Sequence, residues 1–244
     1  MNAKNTIYRF TISIAGLNIR INTVSPSVYA YCIQYLSDNP PDICINICEE
    51  DIENAENALK SAGQRIDTPY LETIVAYKKI LDELITYNSL LIPGAVVAVN
   101  NEAYLFSASS GTGKTTHIKQ WIEKMDGAII VNGDKPLVKI TDNEVIACGT
   151  PWCGKERLGT NIMVPLKAFI YMERDNVNHI NEISFLSAFP YLLQQTYRFS
   201  DQEKAKKTIN LLTSLNEKIS FWHFYCNNFK EDCFSTVYNA LICR

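Results

Sequence analysis

The chain has 244 residues, enough to bury a substantial core in one large domain or two modest ones. It is 47% hydrophobic and 20% charged, with a net charge of −3 and no run of Lys or Arg. That balance argues against nucleic acid as a partner, because gripping a phosphate backbone needs a concentrated positive surface.

Met1-Asn2-Ala3-Lys4 leads straight into an alternating segment from Ile7 to Ile14, with no signal-peptide pattern. The longest apolar run, Leu90 to Val99, is broken by Pro93-Gly94 and is about half the length a bilayer demands. The expectation is a cytoplasmic protein with no membrane partner. The eight cysteines (Cys32, Cys44, Cys48, Cys148, Cys153, Cys226, Cys233 and Cys243) form no C-x-x-C pair, and the three histidines complete no zinc set. Free, largely buried thiols in a reducing compartment are expected.

In chain order, Tyr8, Phe10, Ile12 and Ile14 alternate with polar residues, and after Ala15-Gly16 so do Leu17, Ile19 and Ile21. That predicts a hairpin. A third strand is expected over Ile43 to Ile47, after the turn residues Asp38-Asn39-Pro40-Pro41. Glu49 to Gln64 reads as helix or loop, and its acidic residues (Glu49, Glu50, Asp51, Glu53, Glu56) as a solvated face. A helix is expected from the N-cap pair Thr68-Pro69, with Leu71, Ile74, Val75, Leu81, Leu84 and Ile85 on one stripe. This places a domain boundary at residue 88, between a smaller β-rich domain (1–88) and an α/β domain (89–244).

In the second domain the pattern predicts strands over Val96 to Val99 and Tyr104 to Phe106, a helix over Thr115 to Met125, and a strand over Ala128 to Val131. Pro136 to Ile140 pairs with Val145 to Cys148 across Asp142-Asn143, and Lys167 to Met172 is a further strand. Helices over Phe185 to Tyr197 and Asp201 to Leu215, a buried strand over Ile219 to Tyr225 and a helix over Glu231 to Leu241 complete the chain.

The apolar run Ala103 to Phe106 feeds Ala108-Ser109-Ser110-Gly111-Thr112-Gly113-Lys114-Thr115-Thr116, which reads as strand, glycine-rich loop and helix. That is the pattern of a phosphate-binding P-loop. Gly111 and Gly113 free the backbone to aim successive N–H groups inward, and the helix turns its positive end to the same point. Lys114 would reach the β- and γ-phosphates and Thr115 a Mg²⁺ ion. The first glycine of the usual pattern is Ala108 here, which requires a negative φ at that position.

A second handle is Ile129-Ile130-Val131-Asn132-Gly133-Asp134, an apolar strand ending in a carboxylate. Asp134 is expected on a strand adjacent to the loop strand, where it can hold Mg²⁺ or accept a proton from a hydroxyl; the alternative is a plain turn aspartate. The third element is Gly149 to Asn161. Its Lys155 and Arg157 can meet phosphoryl charge, its Glu156 can orient metal or substrate, and its Trp152 reads as exposed. His117 reads as a helix-surface residue, and His179 and His223 as structural.

These three motifs, in this order and spacing, resemble the HPr kinase-related proteins, the group allied to ATP-dependent phosphoenolpyruvate carboxykinase. The resemblance spans roughly residues 88 to 244. It implies an ATP- and Mg²⁺-dependent P-loop kinase core that phosphorylates a serine or threonine hydroxyl of a protein or peptide, ribosomally made peptides included, and it allows a homo-oligomer. Carried over residue by residue, Ser109 to Thr116 hold the nucleotide, and Thr115 and Asp134 the metal. Asp134, Lys114 and Arg157 act in catalysis, while Lys155, Glu156, Arg157 and Asn161 line the substrate loop. The chain departs from the family at Pro93, where a histidine precedes the glycine, and at Gly133, where the family pairs two aspartates. Two alternatives stand beside this reading: a nucleotide-binding regulatory or peptide-recognition protein with little catalysis, and a small-molecule hydroxyl kinase.

Overall fold

The computed structural model describes residues 8–64, 66–227 and 232–243. Met1 to Lys4, Ile7 and Glu231, which the expectations above touch, lie outside the described residues. The chain divides into two compact units, Met1–Thr86 and Tyr87–Arg244.

In the first unit, β1 (Tyr8–Ile14) and β2 (Leu17–Thr23) form an antiparallel hairpin. Its turn, Ala15-Gly16, has φ of 52° and 73°, the double positive value that matches the twist of the flanking strands. β3 (Ile43–Asn46) runs parallel to β2, so the chain must cross over between them. The crossover contains a helix not foreseen from the sequence, α1 (Pro26–Cys32), capped by the Ser25 hydroxyl accepting from Ser27 N–H.

Glu49 to Ser61 is helical (α2). Asp51 accepts from Cys48 N–H at 2.9 Å and from Lys79 Nζ at 2.6 Å, which ties down the helix start. Glu49 and Glu50 share its first turn, where negative charge suits a helix N-terminus. α3 (Thr68–Leu84) is capped by Asp67, one residue before the expected cap; its carbonyl accepts from Leu71 N–H at 2.9 Å. Pro69 fits the second helical position because first-turn N–H groups lack partners within the helix.

On α3, Glu72 is 1% exposed. Its carboxylate accepts from the hydroxyls of Thr23 and Ser25 and from the N–H groups of Val24 and Ser25, so the buried charge is fully solvated by protein. The unit is therefore mixed, not β-rich: α2 and α3 have 13 and 17 residues against strands of 7, 7 and 4. The expectation failed because period-2 alternation is conspicuous in the first strands, while the long helix was counted only as a boundary.

The second unit is built on a nine-stranded sheet. Its strands are β4 (Ser89–Leu91), β5 (Ala95–Val99), β6 (Glu102–Ser107), β7 (Ile129–Asn132), β8 (Leu137–Ile140), β9 (Val145–Cys148), β10 (Met163–Arg174), β11 (His179–Glu182) and β12 (Ser220–Cys226). The order is β4-β8-β9-β10-β6-β5-β7, with β12 beside β10 and β11 beside β12. β10 is twice the expected length because it serves two sets of partners. Met163 to Pro165 pair antiparallel with β9, and the rest of the strand runs parallel to β6 and β12.

β7 does not neighbour β6, contrary to the expectation for Asp134. β5 and β6 form a hairpin across Asn100-Asn101 (φ 52° and 62°), and β7 pairs with the other side of β5. Because β5 is antiparallel to both, β6 and β7 run parallel and end on the same sheet edge.

The helices are α4 (Lys114–Lys124), α5 (Phe185–Gln195), α6 (Gln202–Thr213, capped by the Asp201 carboxylate) and α7 (Cys233–Leu241). α4 and α7 cover one face, where Tyr104, Phe106, Ile170, Met172 and Phe224 pack on Ile118, Trp121 and Phe234. On the other face Phe221 meets both Phe185 of α5 and Phe169. Cys44, Cys48 and Cys243 are exposed and the other five thiols buried, and none of the eight is in a disulfide. Among the described residues, no helix is long and apolar enough to cross a membrane.

His117 is not on the helix surface: it is fully buried in this core. Its Nε2 accepts from Trp121 Nε1 at 3.1 Å, and its ring meets Phe106 edge-on at 4.6 Å. Burial pushes its pKa down to about 3. Folded His117 thus stays neutral through mild acid, while the unfolded side chain takes up a proton near pH 6.5. Below pH 6.5 the unfolded state binds more protons, so stability falls as pH falls. Between pH 7 and 5 this one group should cost about 2 kcal/mol. Denaturant titrations at the two pH values should show that slope in the wild type and its reduction in His117→Gln.

Candidate functional site at the carboxyl edge of the sheet

β6 ends at Ser107 and the chain turns through residues 108–113 into α4. The loop takes φ of 80° at Gly111 and 113° at Gly113, values that L side chains rarely adopt. Ala108 has no such φ; it is 3% exposed and packs in the core with Ile118 and Trp121, so the missing glycine is accommodated. Thr112 closes the turn, its hydroxyl donating to Ser109 O at 2.9 Å. Lys114 folds back over the loop, Nζ donating to Ala108 O at 3.0 Å and Ser109 O at 3.3 Å. Burial lowers the pKa of this amine, and the negative charge of Asp134 pulls it back up. Thr115 and Thr116 lie in the first turn of α4. A loop of this shape, leading into a helix N-terminus, can present N–H groups to an anion.

Asp134 sits just beyond β7, in the Asn132-Gly133-Asp134 turn, which is organised by Asn132, a residue given no role of its own in the sequence reading. Asn132 is fully buried. Its Oδ1 accepts from the N–H of Asp134 at 2.9 Å and of Lys135 at 2.7 Å, and its Nδ2 donates to Thr150 O at 3.1 Å. The signal was available: an Asn at the end of an apolar strand, two residues before an acid, is a standard side-chain turn former.

Pro93-Gly94 tie this turn to the loop strand. Gly94 N–H donates to Asp134 O at 2.9 Å, and Ser107 Oγ donates to Pro93 O at 2.8 Å. A side chain at Gly94 would start 2.7 Å from Phe106 O, so only glycine fits there. Gly133 has an equally direct reason. A Cβ there would lie 3.1 Å from both Cys153 O and Leu158 O, which leaves no comfortable room for a second aspartate.

Residues 149–161 fold back along β7. Leu158 O accepts from Gly133 N–H at 2.8 Å, Gly159 bridges Asn132, and Thr160 N–H donates to Val131 O at 3.1 Å. Trp152 is 1% exposed, not exposed as expected: it anchors the loop. Burial pushes the Cys153 thiol up, which argues against a reactive thiolate.

The tip of the loop reaches Asp134, and a Cβ on Gly154 would start 3.1 Å from the Asp134 Cβ. Lys155, Glu156 and Arg157 are exposed at this tip, with Arg157 at φ 52°. Glu156 forms an ion pair with Lys119 of α4. Asn161 is exposed one residue beyond Thr160, level with the start of β7, so the fold does not bring it to the Asp134 end.

A second residue that sequence reasoning missed is Arg174, the last residue of β10. Its Nη2 donates to Gly111 O at 2.6 Å. The available signal was a cation closing a strand that becomes central. His179 and His223, by contrast, stack on Tyr225 at 4.3 and 4.0 Å, on β11 and β12.

No family model matches the sequence, and no curated protein matches it. Among solved structures, the chain is similar to the HPr(Ser) kinase/phosphatase from Coxiella burnetii. The two are 10% identical over 63% of this chain and 88% of that one, with a TM-score of 0.36.

Proposed function

We propose that the protein is an ATP- and Mg²⁺-dependent kinase that transfers the γ-phosphate to a serine or threonine hydroxyl of a protein or peptide. The observation that carries this reading is geometric: the loop after β6 that leads to Lys114 and the turn that holds Asp134 leave the same sheet edge, tied together through Pro93-Gly94. In this reading Ser109 to Thr116 cradle the phosphates. The acceptor oxygen attacks the γ-phosphorus in line, the bond to the bridging β–γ oxygen breaks, and Asp134 takes the hydroxyl proton. Lys114 and Arg157 face the charge that develops on the phosphoryl oxygens, and Lys155 extends that positive rim. The first unit serves acceptor recognition.

The donor set suits the metal. Among the described residues no three His, Cys, Asp or Glu side chains cluster around a metal site. Mg²⁺ needs no such cage, because it is held by one or two carboxylates, phosphates and water. Thr115 Oγ1 and Asp134 would hold it, both hard oxygen donors. When bound, it would supply charge neutralisation at the β- and γ-oxygens.

A second reading, nucleotide binding with little turnover, is favoured by Gly133. The turn carries a single aspartate, two carbonyls crowd the position where the second would stand, and Glu156 is engaged by Lys119. Incubation with ATP, Mg²⁺ and serine-containing peptides, followed by intact-mass analysis, separates the two. The kinase reading expects one added phosphate on an acceptor and its loss in Asp134→Asn, with ATP still bound. An acceptor left unmodified while ATP binds supports the second reading.

A further inference from the structure

Gly111 is the exposed tip of the glycine-rich loop. Apart from its chain neighbours, nothing lies within 4 Å of where a side chain at Gly111 would begin. Packing therefore does not brace it, and its φ of 80° lies in the region where glycine moves most freely. The contact that reaches it comes from the next strand. Tyr171 of β10 lies level with Ser107 of β6, so Arg174 stands three residues further on, alongside the loop. Side chains alternate along a strand, which puts Arg174 on the same face as Met172. Met172 belongs to the core under α4, and the loop turns into α4 on that face.

We propose that Arg174 is a positioning residue for phosphate binding, an inference that rests on the nucleotide reading above. By drawing the Gly111 carbonyl outward, its guanidinium turns that oxygen away from the cradle. The loop N–H groups then face inward before an anion arrives. Preorganised donors bind charge more tightly because they need no rearrangement on binding. At the other end of the loop, Lys114 Nζ donates to the carbonyls of Ala108 and Ser109.

The test compares wild type, Arg174→Ala and Arg174→Lys in two measurements. Hydrogen exchange of residues 108–116 without nucleotide should be faster in Arg174→Ala, with the unfolding midpoint unchanged. ATP and ADP affinities should both fall by the same factor, about tenfold, as expected for one lost charge-assisted hydrogen bond. Arg174→Lys, which can still donate to the Gly111 carbonyl, should recover most of both effects. The inference is overturned if exchange does not change, if neither affinity changes, or if lysine is as poor as alanine. A loss confined to ATP overturns it too, because that signature belongs to a direct γ-phosphate contact. If wild type binds neither nucleotide, the nucleotide reading itself fails, and the exchange rates still report whether Arg174 pins the loop.

Discussion

Lys114→Ala should weaken ATP binding by about a hundredfold and abolish phosphate transfer, while the unfolding midpoint stays near that of the wild type. In the proposed reading this half-buried cation would meet two phosphates through charge-assisted hydrogen bonds, and alanine removes them. The fold should survive, because Lys114 makes two hydrogen bonds to loop carbonyls and alanine is the best helix former for the first turn of α4. The amine also sets a pH limit. Burial lowers its pKa below the ordinary 10.5, so the positive charge that the proposed reading assigns to phosphate is lost as pH rises through that lowered value. Nucleotide affinity in the wild type should therefore decline at a lower alkaline pH than an exposed lysine would produce. Calorimetric titration across pH, with the alanine variant as control, measures both effects; full affinity in Lys114→Ala would falsify the assignment.

Gly149→Ala should be the most destabilising single-methyl change in the second unit. A Cβ there would lie 1.9 Å from Thr160 O, and 3.0 Å from Val131 O. Neither neighbour can yield, because both are backbone atoms and Gly149 N–H is itself held by Ile162 O at 3.0 Å. The only relief is to lift residues 149–161 off β7, at a cost of more than about 3 kcal/mol. Asp134 would then lose the packing of Gly154, and its turn the Leu158 carbonyl bonded to Gly133 N–H. Gly127→Ala is the control. Unlike Gly149 it has positive φ (76°), but open space surrounds it, so its cost should be only the backbone strain of about 1–2 kcal/mol. Denaturant unfolding of the two variants should differ clearly. Equal stability would mean that the loop does not pack on β7 as described.

Much of the candidate site is legible in the amino-acid sequence, because its parts are local. The glycine spacing from Gly111 to Gly113, the apolar strand ahead of it and the helix after it lie within one short segment. The turn at Asn132 to Asp134 likewise announces itself by composition. Arg174 is not legible there, because its significance comes from standing beside a loop 63 residues earlier in the chain. His117 and Trp152 mislead for a related reason. A polar or aromatic residue in a helix or loop looks exposed until its partner appears, here the Trp121 indole for His117 and the strand-backed loop for Trp152.

Local residue patterns suffice for the hairpin at Ala15-Gly16, the apolar stripe of α3, the strand–loop–helix around Lys114 and the turn that ends in Asp134. Each rests on side-chain periodicity or turn chemistry over a few neighbouring residues. That β5 separates β6 from β7, that β10 serves two sets of strands and that two carbonyls crowd Gly133 emerges once the chain is folded. Those outcomes depend on pairings such as Val96 with Asn132 and on backbone carbonyls brought from residues 153 and 158. Long-range hydrogen bonding and close packing fix such contacts, and neither leaves a periodic trace in the chain.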